Sequence, residues 1–200
     1  MDHCGKEHGE RVGRKRDGQL FVVSGPSGSG KSTLVREAIR QTNAQLSVSA
    51  TTRPQGKNEI DGKDYYFLSE KEFKDKIGAE EFLEYARVFD NYYGTPRQPV
   101  IEKLNAGQTV LLEIDVQGAA QVFESFPEAV GILVLPPSDE ELYRRLQRRG
   151  RDDAETIKKR LAKAQWEIEQ ARNSKNFKHT LINEDLGEAI KAMIELIGYR

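Results

Sequence analysis

Cysteine is almost absent: Cys4 is the only one in 200 residues. No internal disulfide can form, so stability has to come from an apolar core. Histidine is nearly as scarce. His3 and His8 flank Cys4 near the N-terminus and His179 stands alone, a poor ligand set for a buried zinc ion. No apolar run approaches the ~18 residues that a membrane span requires. The opening MDHCGKEHGERVGRKRD is polar and basic with no apolar segment, so no secretory leader is predicted there. An excess of one charge is missing too. Lysine and arginine number 31 against 32 acidic residues, for a net charge of −1. That balance argues against a dedicated nucleic-acid binder, which carries a basic domain. These absences predict a cytoplasmic protein of one domain with an ordinary core.

Residues 1–17 read as a flexible basic tail. Beyond it, LFVVS at 20–24, TVLLEID at 109–115 and the run Val130–Leu135 are continuous apolar strands. A shorter strand is expected over 180–183. Helices are expected over 31–41, 99–106, 118–126, 139–150, 154–174 and 186–197. Capping boxes at Ser69–Glu72 and Ser138–Glu141 mark two helix starts. Strands alternating with helices predict an α/β fold with a parallel sheet. The region 47–95 breaks that rhythm. It has short strands (Leu46–Thr52 alternates and Phe82–Phe89 reads as one) and is tyrosine-rich, as an inserted lobe would be.

Gly25-Pro26-Ser27-Gly28-Ser29-Gly30-Lys31-Ser32 fits G-x-x-x-x-G-K-[ST] at every fixed position, between an apolar strand and a helix. Backbone amides in such a loop, with the helix N-terminus, form a concave anion site. Lys31 is expected to reach the β- and γ-phosphates, and the Ser32 hydroxyl to hold Mg²⁺, with Thr33 completing the loop. The motif specifies a nucleoside triphosphate and leaves the reaction open.

Further stretches narrow it: Ser49-Ala50-Thr51-Thr52-Arg53, Glu59 to Phe67, Asn91-Tyr92-Tyr93-Gly94-Thr95, and Leu112-Glu113-Ile114-Asp115-Val116-Gln117-Gly118. With the phosphate loop, and in this order, they resemble the guanylate kinase family over roughly residues 18–198. The resemblance implies a P-loop nucleoside-monophosphate kinase fold with its core at 18–46 and 96–198. A mixed β GMP-binding lobe at about 47–95 and a helical lid at about 144–160 would complete it. It also implies transfer of the γ-phosphoryl of ATP to GMP or dGMP, with Mg²⁺ and no membrane or nucleic-acid partner.

Site roles follow from the same resemblance. Arg53 would hold the acceptor phosphate with the hydroxyls of Tyr65 and Tyr93, since a guanidinium fork binds phosphate bidentately. Glu84 would read the two adjacent donors of guanine, with Asp115 beside it and Ser49 and Thr95 on the rim. Arg145, Arg149 and Arg160 match lid arginines over the transferring group, whereas Arg144, Arg148 and Arg151 read as surface. Asn183 falls near the family's adenine pocket. Glu113 or Asp115, at the carboxyl end of an apolar strand, would orient Mg²⁺ through water. Tyr66 and Phe67 are expected in the core of the lobe.

One position departs from the family. Its pattern T-T-R-x-P-R-x-G-E has a second arginine where Gly56 stands, with Lys57 next to it. Weaker binding of the GMP phosphate is therefore expected. Two other readings stay open at the level of sequence: a P-loop kinase for another phosphorylated acceptor, and a non-catalytic guanylate kinase-like interaction module. The intact Gly30-Lys31-Ser32 speaks against the second.

Overall fold

The computed structural model describes residues 18–88, 90–148 and 153–198. At its centre is β1 (Leu20–Ser24), every residue of which is buried. It pairs in parallel with β7 (Val110–Glu113) on one side and β8 (Val130–Leu135) on the other. The short β2 (Gln45–Leu46) and β9 (Phe177–Ile182) complete a parallel sheet in the order β2-β7-β1-β8-β9. Side chains alternate between its two faces. Phe21 and Val23 meet α1 (Lys31–Gln41) and α7 (Leu186–Gly198) through Leu34, Val35 and Met193. Leu20 and Val22 meet α3 (Arg97–Asn105) and α4 (Val116–Ser125) through Val100, Leu104 and Val122. Helices on both faces explain why the central strands are apolar without alternation. Each such side chain contributes roughly 1.5–3 kcal/mol on burial.

β9 is longer than the sequence suggested, starting at Phe177 rather than 180. Its exposed Lys178 and Thr180 hide it from a hydrophobicity reading, but an edge strand needs only backbone partners on β8. Helix boundaries shift similarly. α3 starts at Arg97, so Pro99 lies in the first turn, where its missing N–H has no helical acceptor. α4 starts at Val116 because Asp115 caps it, accepting from the Gln117 and Gly118 amides.

The stretch 46–52 divides between two sheets. Ser47 N–H still donates to Leu111 O in the main sheet, whereas the Ser49 carbonyl already accepts from Tyr66 N–H. The second sheet contains β3 (Ala50–Thr51), β4 (Tyr66–Phe67), β5 (Phe82–Val88) and β6 (Asn91–Pro96), in the order β4-β3-β6-β5. It is mixed: β3–β4 is parallel, and β3–β6 and β5–β6 are antiparallel. α2 (Glu70–Gly78) packs Phe73 against Phe82 and Tyr92, with ring centroids 4.4 and 5.4 Å apart. The Ser69–Glu72 capping box starts that helix as the sequence indicates.

α5 (Asp139–Arg148) and α6 (Ala154–Asn173) pack through Leu142, Leu146, Ile157 and Ala164. The second capping box is only half formed. Ser138 Oγ accepts from Glu141 N–H, but the Glu141 carboxylate turns to Arg144 and Arg145 instead. Those two charge-assisted bonds outweigh the return contact to one backbone amide.

Candidate active site

The phosphate loop joins the C-terminal end of β1 to α1. Gly30 sits at φ +93°, in the left-handed region, and caps α1 without a side-chain hydrogen bond. The first-turn amides of α1 are thus free of a competing side-chain cap, and no acidic residue stands in that turn. Ser32 Oγ donates to Glu113 Oε1 from the end of β7, the strand paired with β1. Lys31, Ser32 and Glu113 therefore meet at the carboxyl ends of the central strands, where open α/β sheets hold ligands.

A cavity of about 190 Å³ lies beside them, lined by Ser49, Tyr65, Glu84, Tyr93, Glu113 and Asp115. Five separate stretches of chain thus converge on it. Three larger clefts, of about 810, 600 and 260 Å³, lie elsewhere among the described residues. The first, next to Gln45 and Thr109, is at the amino ends of the strands, and the second lies between α4 and α6. None of them gathers carboxylates as the smaller cavity does with Glu84, Glu113 and Asp115.

Glu84 is 7% exposed. A strand glutamate ordinarily faces solvent, and a β-bulge explains the exception. Phe82 pairs with Pro96 and Glu84 with Thr95, so one extra residue is inserted on β5. Phe82 joins the lobe core, Leu83 joins the main core, and Glu84 is turned into the cavity. Thr95 Oγ1 donates to Glu84 Oε1 at 2.6 Å. The other oxygen lies against Gly118, where an added Cβ would come within 2.8 Å of Oε2. Burial pushes the Glu84 carboxyl up to about 7; the Thr95 hydrogen bond opposes this and the nearby Asp115 charge adds to it. Asp115 already accepts two amide hydrogen bonds through Oδ1 as the α4 cap.

Arg53 is held before it meets any ligand. Its two terminal nitrogens pair with both Glu59 oxygens, at 2.9 and 2.7 Å. Its guanidinium lies 5.5 Å from the Tyr65 ring centre and 5.7 Å from that of Phe67. Hydrogen bonding to Glu59 raises its pKa further above the ordinary arginine range, against partial desolvation. Phe67 corrects the sequence reading. Tyr66 packs on the lobe core, but Phe67, on the opposite side of β4, forms part of the surface beneath Arg53. Gly56 also has a task. Its N–H donates to Glu59 Oε2 at 2.7 Å, and a Cβ there would approach that oxygen to 2.9 Å. Lys57 is exposed.

The lid arginines are distributed differently from the expectation. Arg145 Nε pairs with Glu141 at 2.9 Å, Nη2 donates to Asn183 O at 2.8 Å, and Nη1 reaches Ser29 O at 3.4 Å. It is thus bound to the back of the phosphate loop. Arg160 is partly buried in the second turn of α6. Arg149 lies outside the described residues, as does Arg151. Arg144 pairs with Glu141 and is largely exposed, in keeping with a surface residue.

Glu167 gave no sequence signal, being one charge in the middle of a charged helix. It is 7% exposed on α6. Burial raises its pKa, with Lys163 opposing, Asp115 adding and Lys31 opposing. Glu167 therefore lies within electrostatic reach of both Lys31 and Asp115. Among the described residues no group of three or more His, Cys, Asp or Glu side chains could hold a metal, and no helix is long and apolar enough to cross a membrane.

Comparison with known proteins agrees with this arrangement. The guanylate kinase family model matches residues 17–199. A guanylate kinase of Synechocystis sp. is 50% identical over 182 residues, 90% of this chain and 94% of that protein. One of Clostridium tetani is 45% identical over 181 residues, 90% of this chain and 86% of that protein. The crystal structure of guanylate kinase from Anaplasma phagocytophilum superposes with a TM-score of 0.71 at 33% identity, covering 92% of this chain and 86% of that one. With a phosphate loop, a buried carboxylate pocket and a match along nearly its whole length, the chain belongs to the guanylate kinase family.

Proposed function

We propose that the protein transfers the γ-phosphoryl group of ATP to GMP or dGMP, giving ADP and GDP or dGDP. The observation that carries this reading is Glu84, a buried carboxylate facing a cavity one strand-end away from the phosphate loop. Guanine presents N1–H and N2–H₂ side by side, and an ionised carboxylate accepts from both. Adenine presents an acceptor at N1 and leaves such a group unpaired, which is heavily penalised in a buried site. The lobe at about 47–95 would hold GMP, and the segment at about 144–160 would act as the lid.

The acceptor phosphate is already anionic, so its attack needs no general base. The demands are alignment and charge neutralisation. Lys31 and the loop amides would hold the donor phosphates. Arg53, released in part from Glu59, would take the acceptor phosphate with the Tyr65 and Tyr93 hydroxyls. Glu59 gives Arg53 its orientation beforehand, lowering the entropy lost on binding. Ser32 and Glu113 present two hard oxygen donors in mutual contact, a set suited to Mg²⁺ accompanying ATP. Bound there, Mg²⁺ would supply charge neutralisation to the β- and γ-oxygens. Arg149 and Arg160 are proposed for the charge of the transferring group, and Arg145 for joining lid and loop.

The test is ADP release from ATP and Mg²⁺ with GMP, AMP, CMP or UMP, beside a Lys31→Ala variant. Turnover with GMP alone, lost in the variant, is expected. Turnover with another acceptor, or none while ATP still binds, overturns the reading.

A further inference from the structure

A phosphate loop works only if its peptide N–H groups converge on the anion. In a trans peptide the C=O points opposite to the N–H. Each converging N–H therefore sends a carbonyl back into the protein, where it needs a donor. The Ser29–Gly30 peptide is one of these. Ser29 is fully buried, and its carbonyl accepts from Asn183 Nδ2 at 2.8 Å. Arg145 Nη1, at 3.4 Å, is a weaker second donor.

Asn183 comes from the rigid part of the fold. It follows β9 directly, and its N–H donates to Leu135 O at 2.8 Å, extending the β8–β9 ladder by one residue. Its carbonyl accepts from Arg145, and it is 5% exposed. The loop is packed tightly on this amide. A Cβ on Gly30 would stand 2.1 Å from Nδ2, so Gly30 is required both for this contact and for its left-handed backbone.

We propose that Asn183 is a positioning residue of the phosphate loop. By fixing the Ser29 carbonyl it turns the Gly30 N–H toward the triphosphate, and Arg145 ties the same point to α5. The proposal rests on the reading of this loop as the ATP site. It assigns the Asn183 amide to the polyphosphate part of the ligand, through the protein backbone, and not to the base.

Inorganic tripolyphosphate separates these roles because it has no base. Asn183→Leu keeps the volume and removes the donor. Asn183→Asp keeps the shape and places a carboxylate against the Ser29 carbonyl. In both, KM for ATP and the tripolyphosphate Kd from calorimetry are expected to rise together by roughly tenfold, as for loss of one buried hydrogen bond. KM for GMP is expected to stay within about twofold. ATP weakened with tripolyphosphate unchanged would make Asn183 a base contact and overturn the proposal, as would equal weakening of ATP and GMP. Should neither variant fold, NMR exchange of the Asn183 side-chain amide protons in the unaltered protein decides. They are expected to stay protected when tripolyphosphate is added, and loss of protection on loading overturns the proposal. An unaltered protein that binds tripolyphosphate but does not phosphorylate GMP would refute the proposed reaction alone. One that does not bind tripolyphosphate would refute both.

Discussion

Lowering the pH should weaken recognition of guanine through one buried group. Glu84 must be ionised to accept both guanine donors, yet burial holds its carboxyl at about 7 in the free protein. The binding-competent fraction is then about ten-elevenths at pH 8 and about one-eleventh at pH 6. Apparent affinity should fall by roughly tenfold between those values, or about 1.4 kcal/mol. An ordinary glutamate would stay ionised throughout and give a flat profile. GMP complicates the measurement because a phosphate monoester has its own ionisation near pH 6. Guanosine avoids this. Its Kd, from competition against GMP at pH 6, 7 and 8, should follow Glu84 alone. Asp115→Asn should move the midpoint downward by removing a charge that raises the Glu84 pKa, while the amide still caps α4. A guanosine affinity unchanged from pH 8 to pH 6 would refute the reasoning, because the carboxylate would then be ionised despite its burial.

The same group should limit stability. Its folded pKa is above the unfolded value, so folding takes up a proton and stability falls as pH rises from about 4.5 through 7. Glu84→Gln should therefore stabilise the protein at pH 8, by on the order of 2–3 kcal/mol in urea unfolding, while losing GMP selectivity; equal stability at pH 8 would count against the buried charge. Gly118→Ala places a methyl group against Glu84 Oε2 and should raise KM for GMP several-fold with KM for ATP unchanged. Gly56→Arg should strengthen GMP binding by adding a second guanidinium fork, provided the Glu59 carboxylate moves aside; an unchanged Kd would sink that idea. Removing residues 1–17 should leave kcat/KM intact, since every proposed site residue follows Ser24.

Much of the candidate site was legible in the sequence, for different reasons at different residues. The phosphate loop is a local object. Gly25, Gly28 and Gly30 have backbone angles that only a short contiguous motif has to specify, and the flanking apolar strand and helix are equally local. The Ser69 capping box and the apolar β1, β7 and β8 are of the same kind. Glu84 was found by resemblance to a family, not by pattern, because a glutamate on a strand carries no sign of a bulge. Glu167 and Phe67 were not found as part of the site. Each differs from its neighbours only in what packs against it from other elements.

Local backbone geometry and the alternation of strands with helices were therefore determined by sequence alone, since both depend on residues close in the chain. Tertiary structure decided the electrostatics and the pairing. The raised pKa of Glu84 needs the exclusion of water and the nearby Asp115 charge, acting against the hydrogen bond from Thr95. The attachment of Arg145 behind the phosphate loop needs Ser29 and Asn183, 116 and 38 residues away. Desolvation and charge pairing sum over everything nearby in space, and only the folded chain determines what is nearby.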